Sequence, residues 1–158
     1  MLDELLGALA ASPLASALRA SRVVYPLVNA LHILGLGALF GAILALDLRL
    51  LGAARSIPAE PLARYLPRVA AAGLGTAVLT GFALFTVQPA DYVANRAFLL
   101  KVALVGIGAV HRECVHRSGA WRRFVATGGV VETRLLVSAA ISLVIWVAAI
   151  LSGRFIAF

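Results

Sequence analysis

VVYPLVNALHILGLGALFGAILAL, residues 23–46, runs for 24 positions without a charged side chain. A helix of that length rises about 1.5 Å per residue and reaches ~36 Å, more than the ~30 Å hydrocarbon core of a bilayer. Three further apolar stretches follow, at about 69–87, 97–114 and 135–152, in a chain that is 62% hydrophobic and only 13% charged. The pattern predicts an all-α integral membrane protein: a single domain over residues 1–158, folded as a four-helix bundle in contact with the lipid bilayer. Four spans and their turns use most of the 158 residues, so any chemistry is expected inside the bundle or at its rim.

The segment before the first span opens with Asp3 and Glu4, where a cleaved signal would carry basic residues, and is expected to belong to the mature protein. Ser12 followed by Pro13 has the form of an N-cap and first helical position, predicting a short N-terminal interfacial helix over Pro13 to Arg19.

The net charge of +7 informs mainly through its distribution. Arg49, Arg55, Arg64 and Arg68 fall between spans one and two, and Arg112, Arg117, Arg122, Arg123 and Arg134 fall between or border spans three and four, nine in all. Arg19, Arg22, Arg96 and Arg154 mark the opposite side, with Lys101 left inside span three. The positive-inside rule then places both basic loops in the cytoplasm and both termini on the periplasmic or outer side of a bacterial inner membrane. The basic balance is thus a topology signal, and no nucleic-acid partner is expected. Cys114, the single cysteine, excludes an intrachain disulfide.

Polar residues inside the spans are the functional candidates. Tyr25, Asn29 and His32 recur at four and three residues, which stacks them on one helical face. Gly35, Gly37 and Gly41 follow, and small residues of this kind admit a neighbouring helix or a flat ligand to the backbone. Span three places Lys101 within its apolar run and His111 near its cytoplasmic end; a snorkelling lysine and an interfacial histidine are the ordinary explanations. Histidines on two helices of a small bundle also fit haem b, whose iron is commonly held by imidazole. His32 lies ten residues from Arg22, ~15 Å deep, while His111 lies fifteen from Arg96, ~22 Å, and Lys101 five, ~7–8 Å. His32 is therefore expected as a metal ligand, with His111 favoured as the second and Lys101 as the alternative; the ordinary explanation is that His32 hydrogen-bonds a Thr or Ser across the bundle. If His111 ligates, Lys101 becomes a cation for the haem propionates. A copper or zinc cluster of His111, Cys114 and His116 is disfavoured, because at 100° per residue His116 turns about 140° away from His111.

The stretches YPLVNALHILGLGALFGAILALDLRLLG, RYLPRVAAAGLGTAVLTGFALF, FLLKVALVGIGAVH and the closing GRFIAF resemble an uncharacterised bacterial four-helix membrane domain family over nearly the whole chain. More distantly, the histidine of span one and the lysine opening span three are similar to the four-helix, HemJ-type protoporphyrinogen oxidase of bacteria and to the membrane domain of CopD-type copper-resistance proteins. The oxidase resemblance implies functional positions at His32 and Lys101 and a haem b. The expected function is b-type haem binding with electron transfer or redox chemistry, alongside a redox partner or larger membrane complex. The competing expectations are a cofactor-free membrane subunit packed in a larger complex and a copper-handling membrane protein.

Overall fold

The computed structural model describes residues 1–53 and 55–157. These form eight α-helices and a closing 3-10 turn: α1 Leu2–Ala10, α2 Pro13–Ala20, α3 Val24–Leu50, α4 Ala59–Phe85, α5 Pro89–Ala94, α6 Arg96–Arg117, α7 Gly119–Ala126 and α8 Thr133–Arg154, then Phe155–Ala157. No strand occurs among the described residues. Three helices, α3, α4 and α8, are long and apolar enough to cross a membrane. The 22-residue α6 is not among them: Lys101 interrupts its apolar run, and Arg112 and Glu113 close it.

The main packing pairs are α3 with α4 and α6 with α8, and α3 against α8 joins them. Every one of these seams follows from small or flat residues at near-heptad spacing. In α4 the buried positions include Ala63, Ala70, Gly73 and Ala77, and in α3 they begin at Gly35 and continue through Leu39, Ala42, Ile43 and Leu46. The two backbones touch where these stripes meet. A Cβ added to Gly73 would stand 2.6 Å from the Leu39 amide nitrogen and 2.7 Å from the Gly35 carbonyl oxygen. In α8 the buried row is Leu135, Ala139, Ser142, Trp146, Ala149 and Ser152, and the Trp146 ring lies flush on Gly108 of α6.

Side-chain burial is uneven along the bundle. One core cluster gathers Leu46, Leu50, Ala59, Ala63, Trp121, Phe124 and Leu135, and a second joins Leu39, Ala42, Ile43, Ala70 and Trp146. Both use α3 only from Leu39 onward. Nothing in α3 before Gly35 is buried, and α6 buries only Gly108. Both core clusters thus lie toward the end that carries the basic loops, while the first part of α3, which holds His32, buries none of its side chains.

The packed end is closed by α7, which folds back beneath the bundle. The Ser118 hydroxyl makes that corner by donating to the Val115 carbonyl at 2.6 Å and accepting from the Trp121 amide at 3.2 Å. Arg123 of α7 holds Glu132, the residue that precedes α8, through two bonds of 2.6 and 3.1 Å. Gly129, at φ +118°, lets the intervening turn pass close to Ala59 and Arg49 in a conformation that a side chain would strain.

At the opposite end Ser12 caps α2 by accepting from the Ala15 amide at 3.2 Å, and Ala15 and Leu18 are fully buried. Arg19 reaches the carbonyls of Ala10 at 2.6 Å and Val87 at 3.1 Å, tying α1 and α2 to the end of α4. Asn95 caps α6 by accepting from the amides of Ala97 and Phe98, and its own amide donates to the Ile156 carbonyl.

The backbone contact at Gly73 gives a direct test. Gly73→Leu should lower stability by about 1–3 kcal/mol through forced separation of α3 and α4. Gly75→Leu, at a position with nothing within 4 Å, should be close to neutral. Thermal unfolding in mild detergent, followed by circular dichroism, distinguishes the two.

Candidate functional site

His32 projects from α3 onto α4. Its Nδ1 lies 3.0 Å from the Ala77 carbonyl oxygen and 3.1 Å from Thr80 Oγ1. A carbonyl only accepts, and the Thr80 hydroxyl already spends its proton on the Thr76 carbonyl at 2.6 Å, so Nδ1 must carry the hydrogen. Nε2 is then left as an unprotonated lone pair, the arrangement in which a backbone carbonyl fixes the tautomer of a metal-binding imidazole. Gly81 permits the ring to sit there, since a Cβ at that position would stand 3.0 Å from Cε1. Lys101 of α6 is near enough to act on His32 electrostatically, and its stem runs over Gly153 of α8.

Tyr25 and Asn29 share the face of His32 by spacing, but both are exposed, and neither contacts the imidazole by hydrogen bond. Tyr25 instead lies near Tyr92, which packs with Phe85 and Phe98 in an aromatic cluster with ring centroids 5.1–6.1 Å apart.

His111 occupies a different level. Its Nε2 pairs with Ser138 Oγ at 3.1 Å, and it borders a small cavity together with Ile43 and Asp47 of α3. Those residues lie eleven and fifteen positions beyond His32, or ~16 and ~22 Å along the helix. The structure therefore sets His32 and His111 at different levels, with Lys101 acting on His32 electrostatically while its stem lies against Gly153 of α8. The pairing of the two histidines on one iron, favoured from the sequence, does not fit this register. The reason is that α6 packs on α8 and makes little contact with α3, whereas depth counted from Arg96 assumed parallel spans with matched boundaries.

A second polar group surrounds that small cavity, of about 30 Å³. Asp47 is only 7% exposed, and the Ser142 hydroxyl and the Arg112 guanidinium both act on its carboxylate across the gap. His116 donates from Nδ1 to the Arg112 carbonyl at 2.8 Å, and its ring lies tilted at 53° against that of Trp121 with centroids 4.3 Å apart. Three buried polar atoms here have no protein partner: Asp47 Oδ2, Arg112 Nη2 and His116 Nε2.

Asp47 was not legible as a site residue, because a charge following Leu46 reads as the end of a span. Its signal lay in the row Leu39, Ile43, Asp47, which extends the buried face of α3 by steps of four. His111 and His116 both border the cavity despite their angular separation, since α7 folds under α6 and encloses His116 from below. Cys114 is exposed and faces an outer groove of about 460 Å³ that shares His111, Val115 and Ser138 with the cavity. No group of three or more His, Cys, Asp or Glu side chains is placed to hold a metal ion among the described residues.

No family model matches the sequence, and no curated protein or solved structure matches it.

Asp47 and Arg112 make opposite charges in a poorly hydrated place, so removing one should cost more than removing both. Asp47→Leu should destabilise the protein by about 1–3 kcal/mol because Arg112 keeps its charge without compensation. The double variant with Arg112→Met should recover much of that loss, as measured by thermal unfolding in detergent.

Proposed function

We propose that the chain is a four-helix integral protein of the bacterial inner membrane, with both termini outside, that holds one b-type haem at His32 and serves electron transfer or redox chemistry. The fourth crossing is α6. Its Lys101 lies five residues inside the helix start at Arg96, within reach of the outer interface, and its remaining charges fall at the far end. The basic residues Arg49, Arg55, Arg64, Arg68, Arg112, Arg117, Arg122, Arg123 and Arg134 then face the cytoplasm.

The observation that carries the haem assignment is the fixed tautomer of His32. An imidazole whose Nδ1 proton is committed to Ala77 presents Nε2 as a ligand of defined direction, on a part of α3 that buries no side chain. Lys101 would contribute either the second ligand or, as a cation, a partner for the haem propionates. Without an anion an ammonium at that depth is costly. A haem bound there supplies reversible one-electron exchange, and the protein's part is to orient the imidazole, exclude water and tune the charge nearby. The resemblance to the haem-binding oxidase points to the same two positions. A copper-handling role has weaker support, since His111, Cys114 and His116 do not converge on one point.

Protein purified in mild detergent should show a haem spectrum that His32→Ala abolishes while the variant still inserts. Lys101→Met should weaken haem retention or shift the reduction potential, and His111→Ala should leave the spectrum in place. Loss of the spectrum in a folded His111→Ala variant, or its survival in His32→Ala, contradicts the assignment. A parent protein that takes up no haem, even when haem is supplied during expression, favours a cofactor-free membrane subunit.

A further inference from the structure

The cavity beside Asp47 is too small for an organic ligand but large enough for one water molecule, which needs at least ~10–15 Å³ of accessible space and two to four polar partners. Its three unpartnered atoms match the bonding capacity of a single water. Asp47 Oδ2 is an acceptor, and His116 Nε2 is an acceptor because Nδ1 gives its proton to the Arg112 carbonyl. Arg112 Nη2 is a donor. One water donating to the carboxylate and to the imidazole while accepting from the guanidinium would satisfy all three, and nothing else on the protein does.

From this geometry we propose that Asp47 and His116 form a proton-exchange site around one bound water, opened to the basic face of the protein past His111. The groups facing the site come from every packed element. Helix α3 supplies Asp47, while its neighbour Arg49 turns away to donate to the Ile57 carbonyl at 2.9 Å. Helix α6 supplies His111, Arg112 and His116, with Glu113 acting on the last two from its exposed pair with Arg117. Helix α8 contributes the hydroxyls of Ser138 and Ser142 and the Trp146 ring, and α7 contributes Trp121. Beyond the shared wall of His111, Val115 and Ser138, the outer groove carries Cys114, Arg123 and Arg134.

The transfer balances without any further reactant. When His116 is protonated at Nε2, it gives that proton to the water as the water gives one of its own to Asp47 Oδ2. An imidazolium and a carboxylate become a neutral imidazole and a neutral carboxylic acid, and the Arg112 charge is unchanged. The reverse step returns the proton toward the groove. Asp47 sits ~22 Å along α3 from His32, so the site stands whether or not a haem is bound.

Infrared difference spectra of the full chain in detergent, recorded on acidification in H₂O and D₂O, test the site. The parent should develop the carbonyl band of a protonated carboxylic acid that moves in D₂O and is missing from the corresponding Asp47→Asn spectrum. Ser142→Ala, which keeps the carboxyl group and removes its hydroxyl donor, should shift the frequency of that band. His111→Phe, which blocks the shared wall, should slow the D₂O shift several-fold without removing the band. A band unchanged in Asp47→Asn overturns the proposal. So does a folded Ser142→Ala protein whose band stays in place, or an exchange rate indifferent to His111→Phe.

Discussion

The contact of α3 and α4 backbones at Gly35 and Gly73 is the constraint on which the rest depends. Without side chains between them, the two helices approach until a Cβ at either glycine would meet backbone atoms at 3.0 Å or less. That approach brings the Ala77 carbonyl within reach of His32 one turn away, and it fixes the rotation of α3 about its own axis. The same rotation turns Leu39, Ile43 and Asp47 into the interior. For helices long and apolar enough to cross a membrane, as α3 and α4 are, dispersion and close packing are the terms that would hold them together in lipid.

Two polar levels follow from that rotation, and each meets the cost of burial differently. At the His32 level the Nδ1 hydrogen of the imidazole is committed to the Ala77 carbonyl of α4. At the Asp47 level a carboxylate and a guanidinium offset one another across a small gap, with the Ser142 hydroxyl alongside. A packed floor of Trp121, Phe124, Leu46 and Leu135 keeps this second group from bulk water on one side. Low dielectric strengthens both arrangements and makes their unpartnered atoms expensive, which is why the orphaned atoms beside the cavity carry meaning.

The long apolar runs, and the N-cap at Ser12 with Pro13 behind it, were readable because each rests on local chemistry. Helix limits were less so. The apolar run of the first span ends at Leu46, yet α3 continues to Leu50; Arg64 and Arg68 fall between the apolar spans, yet α4 begins at Ala59. A charge or a proline near a membrane interface ends the apolar run without ending the helix. The α7 helix, GAWRRFVA, lay inside a stretch dominated by arginine, although Ser118 and the spacing of Ala120, Trp121 and Phe124 carry its signal. Spacing placed Tyr25 and Asn29 on the face of His32 correctly as a face, but it could not say what that face meets. The relative depth of His32 and His111 depends on how α3 and α6 slide past each other, which no property of either helix alone contains.

Whether α6 crosses the bilayer decides between the four-helix arrangement and one in which only the three most apolar helices do so. Single cysteines at Ser56, Ala90 and Thr127, in a background with Cys114 replaced by serine, report this through an impermeant thiol reagent applied to intact cells. The account predicts that the cysteine at Ala90 reacts while those at Ser56 and Thr127 are protected until the membrane is opened. Reaction at both Ala90 and Thr127 in intact cells would place the two ends of α6 on one side and contradict it.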